Sequence, residues 1–148
     1  MEIHKDFREL LALLNENNVE YLIIGGYALA FHGAPRYTGD LDIYIKPDAE
    51  NAKKIIFVLN EFGFGSLGLE EKDFCQPDMV VQLGNPPLRI DIITSISGVQ
   101  WHQAYSNKVA SSIDSITVNF ISREDLIKNK KAIGRKKDEA DIEALDDV

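Results

Sequence analysis

The sequence holds a single cysteine, Cys75, among its 148 residues. That count excludes an internal disulfide and fits a reducing compartment. No apolar run reaches 18 residues, so a membrane-spanning helix is not expected. The opening MEIHKDFREL is mixed and charged, where a signal peptide would have a basic start and then an apolar stretch. The expected location is cytoplasmic. Positive charge is scarce: 16 Lys and Arg face 24 Asp and Glu, for a net charge of −8. A broad basic surface for duplex nucleic acid is therefore not expected. No repeat, linker or low-complexity stretch divides the chain, and residues 1–148 read as one domain.

What is present is an ordinary globular composition, enough for a core without covalent staples. Phe7, Leu10, Leu11 and Leu14 follow a helical spacing, and Asn17-Asn18 can end that helix. VEYLII is a β-rich run closed by Gly25-Gly26, and YALAFHG is a short helix-forming segment closed by Gly33. DLDIYI alternates, with Leu41, Ile43 and Ile45 on one face and Asp40, Asp42 and Tyr44 on the other. Asp48 is a good N-cap for a helix ended by Gly63. MVVQL and LRIDIIT predict a hairpin through GNPP, and ITVNFI predicts another strand. Ser122 to Asp125 resembles a capping box opening a helix to Lys131, and a last helix spans about Arg135 to Leu145. The stretch at 62–78 reads as loop with room for a short strand, and 97–109 stays unassigned. The expectation is an α/β (α+β) domain with a mixed β-sheet of about five strands, flanking helices and a helical C-terminal piece.

Taken singly, a Gly pair is often a tight turn, and two aspartates at i, i+2 can face solvent. Together they suggest chemistry. Asp40 and Asp42 lie about 6.6 Å apart along one strand face at roughly 3.3 Å per residue, so both carboxylates can reach one centre. Asp91 is the one acidic residue in an otherwise apolar strand, a position that is costly unless paired or bound to metal. If the two strands are neighbours, three hard oxygen ligands meet, a set suited to Mg²⁺ or Mn²⁺. The glycines would then expose backbone N–H groups where an anion can approach. An anion cradle beside three carboxylates is equipment for phosphoryl transfer. Arg36 and Thr38, just before the aspartates, are candidates to meet a phosphate or to brace Asp40. The run KNKKAIGRKK concentrates six of the basic residues at 128–137. Lys130 there can border the buried side, and Arg135 and Lys137 stand at a helix start, where positive charge calls for an anion. Asp138 is a possible internal one. His32 fits a helix end, and Trp101, beside His102 in the unassigned stretch, reads as a partly buried aromatic rather than as a base-stacking platform.

GGYALAFHGAPRYTGDLDI followed by RIDII resembles the nucleotidyltransferase superfamily with the DNA polymerase β type of palm. Within it, residues 25–43 and the segment Lys130, Gly134-Arg135, Lys137-Asp138, Asp141 are similar to small stand-alone members related to abortive-infection (type IV) toxins of toxin–antitoxin pairs. The resemblance implies a metal-dependent enzyme that moves a nucleoside monophosphate from an NTP to a hydroxyl and releases pyrophosphate. It implies two ions: Asp40 and Asp42 would hold both, and Asp91 the one at the hydroxyl, whose proton it could accept. Gly25 and Gly26 would cradle phosphates, with Arg36, Thr38, Lys130, Arg135 and Lys137 as further nucleotide-binding candidates. The acceptor is left open among a protein, an RNA end and a small molecule, and a partner chain or a second copy of this chain could complete the site. The rival reading is a nucleotide-binding regulatory or antitoxin-like module with little catalysis.

Overall fold

The computed structural model describes residues 2–34, 38–85 and 87–146. Arg36, and Pro86 of the expected GNPP turn, lie outside the described residues. The chain opens with α1 (Lys5–Glu16), whose buried stripe is Phe7, Leu10, Leu11 and Leu14, as the spacing predicts. It enters β1 (Tyr21–Ile24), buried at all four positions as a central strand requires. Helix α2 (Gly25–Phe31) starts directly on the glycines, two residues ahead of the sequence-based start. Strand β2 (Asp40–Ile45) follows, then α3 (Ala49–Phe62), capped by the Asp48 carboxylate and stopped by left-handed Gly63. Two single 3₁₀ turns cross the next stretch, which is pinned by the fully buried Phe74.

Strands β3 (Val80–Asn85) and β4 (Leu88–Ile93) form the expected antiparallel pair. The first unassigned residues beyond it contain α4 (Trp101–Ser106), and a strand the sequence did not announce, β5 (Val109–Ile113), pairs with β6 (Ile116–Phe120). Helix α5 (Arg123–Ile133) is capped by Ser122 and ended by left-handed Gly134, and α6 (Lys136–Asp146) completes the chain.

The mixed sheet has six strands in the order β3-β4-β2-β1-β6-β5. β2 runs antiparallel to β1 and parallel to β4, and β1 runs parallel to β6. Helices flank this sheet in an α+β arrangement. On β2, Leu41, Ile43 and Ile45 are buried on one face, and Tyr44 on the opposite face meets Trp101 of α4 edge-on at 4.9 Å. The aspartate face of β2 therefore looks toward the side that α4 covers. Among the described residues no helix is long and apolar enough to cross a membrane.

Candidate active site

Because β2 and β4 are parallel neighbours, Asp42 stands opposite Asp91 and Asp40 opposite Arg89. The sequence-derived carboxylates are thus brought onto two adjacent strands. Arg89, which the sequence reading passed over, ties two of them together. Its Nε donates to Asp91 Oδ1 at 2.9 Å, and its Nη2 donates to Asp40 Oδ2 at 2.9 Å and to Asp91 Oδ2 at 3.1 Å. Such charge-assisted forks are the strong class of hydrogen bond. Asp42 feels the opposite environment. Burial, then the neighbouring Asp91 and Asp40 charges, push its carboxyl up from 3.8 to about 7, with Arg89 opposing only in part.

The glycines are explained locally by close approach. Gly25 adopts φ +68°, and a side chain there would run into the Asp42 carboxylate. A Cβ on Gly26 would lie 2.8 Å from Thr38 Cβ. Thr38 in turn hydrogen-bonds the Asp40 backbone, its hydroxyl contacting the Asp40 carbonyl at 3.2 Å and the amide at 3.3 Å. Thr38 therefore sets the entry of β2 beneath the α2 start, rather than standing free.

A pocket of about 280 Å³ opens beside Asp42 and Gly25. It is also lined by Asn129, Lys130 and Ile133 of α5 and by Arg135, two residues beyond that helix. Two of the basic candidates thus share a pocket with Asp42. Their charges are already engaged. Lys130 is buried, with Nζ 3.4 Å from Asp138 Oδ1 and 3.0 Å from Asp141 Oδ2. Arg135 donates to Asp138 through Nε at 2.7 Å, Nη2 at 3.2 Å and its backbone N–H at 3.1 Å. The anion that the helix start calls for is Asp138 itself. The Arg135 hydrogen bonds hold its carboxyl down from 3.8 to about 2. Lys137 is exposed and does not line the pocket.

His32 caps α2, with Nε2 2.7 Å from the Ile121 carbonyl. Trp101 packs between Tyr44 and Tyr105.

Asp40, Asp42 and Asp91 offer the hard-oxygen chemistry of a divalent-cation site. As they stand, however, no three His, Cys, Asp or Glu side chains among the described residues are gathered to hold a metal ion. The Arg89 guanidinium takes up the oxygens of two of the three. The residue types fit a cation, and the competing group is an arginine of the same chain.

The fold is that of nucleotidyltransferases. A putative nucleotidyltransferase from Thermotoga maritima (TM1012) superposes with a TM-score of 0.63 at 18% identity, over 96% of this chain and 91% of that one. The lincosamide antibiotic adenylyltransferase LnuA, solved with lincomycin, gives 0.58 at 15% over 98% and 97%. The antibiotic-resistance factor ANT(2'')-Ia gives 0.61 at 13% over 95% and 80%. No curated protein sequence matches the chain. Residues 3–148 match the family described as nucleotidyl transferase of unknown function (DUF2204), and the chain belongs to that family. It is thereby assigned to the transferases, with nucleotidyl transfer as its general activity.

Proposed function

We propose that this protein transfers a nucleoside monophosphate from an NTP to a hydroxyl of a small molecule, with Mg²⁺ or Mn²⁺ as cofactor. The observation that carries the reading is the placement of Asp40, Asp42 and Asp91 on the paired strands β2 and β4, with Asp42 beside Gly25 and lining a pocket. These three carboxylates would hold the cations. When bound, two such ions supply charge neutralisation on the phosphates and a more acidic acceptor hydroxyl.

The chain's own residues do the rest. The absent side chains at Gly25 and Gly26 let Asp42 and Thr38 pack against the start of α2, which sets bare backbone beside the carboxylate strand where a phosphate would pass. Lys130 and Arg135 border the pocket and carry the basic charge nearest to it. The acceptor oxygen attacks the α-phosphorus in line, the bond to the β-phosphate oxygen breaks, and pyrophosphate leaves. The hydroxyl proton goes to an Asp91 carboxylate oxygen. A small-molecule acceptor is supported by the neighbours, one an adenylyltransferase named for an antibiotic and another a resistance factor. A second copy of this chain is the proposed source of any missing acceptor wall.

The test is incubation with each labelled NTP, Mn²⁺ or Mg²⁺, and a panel of hydroxyl-rich small molecules including lincosamides and aminoglycosides. Pyrophosphate release with label on the small molecule is the expected result. Tight NTP binding without pyrophosphate from any acceptor would favour the regulatory reading.

A further inference from the structure

We propose that Arg89 is an internal counter-cation, which closes the carboxylate site in the metal-free protein and yields Asp40 and Asp91 to a divalent ion. The inference rests on the metal-site reading of these residues and concerns what that site holds before a metal arrives. The first support is geometric. The guanidinium makes three hydrogen bonds of 2.9–3.1 Å to Asp40 and Asp91, spanning the cross-strand gap between them. Its attachment is fixed by the sheet, because Arg89 stands opposite Asp40 in the β2–β4 register and two residues before Asp91 on the same face.

The second support is electrostatic. Three carboxylates converging without a cation repel one another, and the protein carries a net charge of −8 to begin with. One guanidinium offsets part of that repulsion and makes the metal-free fold tenable. A divalent ion brings twice the charge and demands carboxylate oxygens at about 2.0–2.1 Å for Mg²⁺, with its own geometry. Guanidinium and ion are like charges seeking the same oxygens, so occupancy by one disfavours the other. Third, Arg89 has a way out. Its side chain is 29% exposed, whereas Asp91 is only 10% exposed, so the long arm can turn toward solvent while the carboxylate stays in place.

The proposal separates two roles that Arg89 could have. A competitor weakens cation binding, whereas a residue that merely orients Asp91 strengthens it. Mn²⁺ binding without nucleotide, read from the loss of the free-ion electron paramagnetic resonance signal, distinguishes them. R89Q is expected to bind Mn²⁺ about tenfold more tightly than wild type, a difference of roughly 1.4 kcal/mol. K128Q removes the same unit of charge from an exposed position on α5 and is expected to match wild type. Equal or weaker Mn²⁺ binding by R89Q overturns the proposal.

Should R89Q fail to fold, the wild-type protein answers by NMR. The Arg89 Nε–H resonance is expected to move as Mg²⁺ plus triphosphate fills the site, and an unmoved resonance at saturation overturns the role. If Mn²⁺ binds neither protein, even with triphosphate, the metal-site reading falls and this proposal with it. If Mn²⁺ binds both alike, only the role of Arg89 falls.

Discussion

Asp42 carries the charge that the metal-free site is least able to balance. It stands opposite Asp91 and two residues from Asp40, and Arg89 directs its hydrogen bonds to those two instead. Its raised carboxyl reports burial first and that crowding second. Replacing it with the neutral isostere, Asp42→Asn, is therefore expected to stabilise the metal-free protein. Thermal melts in EDTA at neutral pH should rise by about 5 °C, given 2–4 °C per kcal/mol for a chain of this size. Asp40→Asn should not do so, because it removes one anchor of the Arg89 fork. With Mn²⁺ and substrate, Asp42→Asn should lose more than about a hundredfold in transfer rate, since even groups behind metal ligands are worth roughly 10–100-fold. All three carboxylates were legible because strict alternation tells which side chains share a strand face. Arg89 obeys the same i, i+2 rule with Asp91, yet it escaped notice. Its meaning depends on Asp40, and no single strand's sequence says that β4 lies beside β2 in that register.

Helices α5 and α6 meet through a buried charge cluster, and that changes what Lys130 is expected to do. Read from sequence, its arm reaches toward a triphosphate. In the fold its ammonium lies between Asp138 and Asp141 while the chain lines the pocket. Lys130→Ala takes the ammonium away from the buried Asp138 and Asp141 carboxylates and should cost about 3 kcal/mol in urea unfolding, the scale of a broken buried pair. Lys128→Ala, on the exposed face of the same helix, should stay within about 0.5 kcal/mol. Equal stability of the two variants would remove the cluster from the account of how α5 and α6 join. The cluster should also show in pH. Asp138 is depressed in the fold from 3.8 to about 2. Its contribution is therefore complete above 3.8 and is lost as pH falls toward about 2. The deficit of Asp138→Asn relative to wild type should be full at neutral pH and close across that acid window, measured by urea midpoints. The helices themselves were legible from caps: Asp48, Ser122, Gly63 and Gly134 all act as their residue types suggest. β5 was not, because its burial runs mostly exposed along a sheet edge, leaving no alternation for the sequence to display.

At the scale of the whole molecule, charge decides how a triphosphate can be held. The chain carries a net charge of −8, and the two basic side chains bordering the pocket are paired with aspartates of α6. The strand order also matters here, because it places the carboxylate strands β2 and β4 side by side, with Asp42 and Lys130 lining one pocket. Alternation and turn residues foretold the strands on either side of that junction, but not their order, which is set by packing between segments distant in sequence. A polyanion entering this pocket thus meets the Asp42 carboxylate and two cations already paired with Asp138 and Asp141. Its affinity should come chiefly from divalent ions it brings with it. In EDTA, millimolar NTP is expected to leave the melting temperature unchanged. With Mg²⁺ or Mn²⁺ present, NTP at a hundred times its Kd should stabilise the fold by about 2.7 kcal/mol, a rise of roughly 5–10 °C. The rise should shrink in Asp42→Asn, which lacks a cation ligand while keeping both basic residues. An NTP-induced rise of the same size in EDTA would mean that Lys130 and Arg135 are released from Asp138 to bind phosphate, and the pocket's positive charge would then have to be assigned to the helices rather than to bound metal.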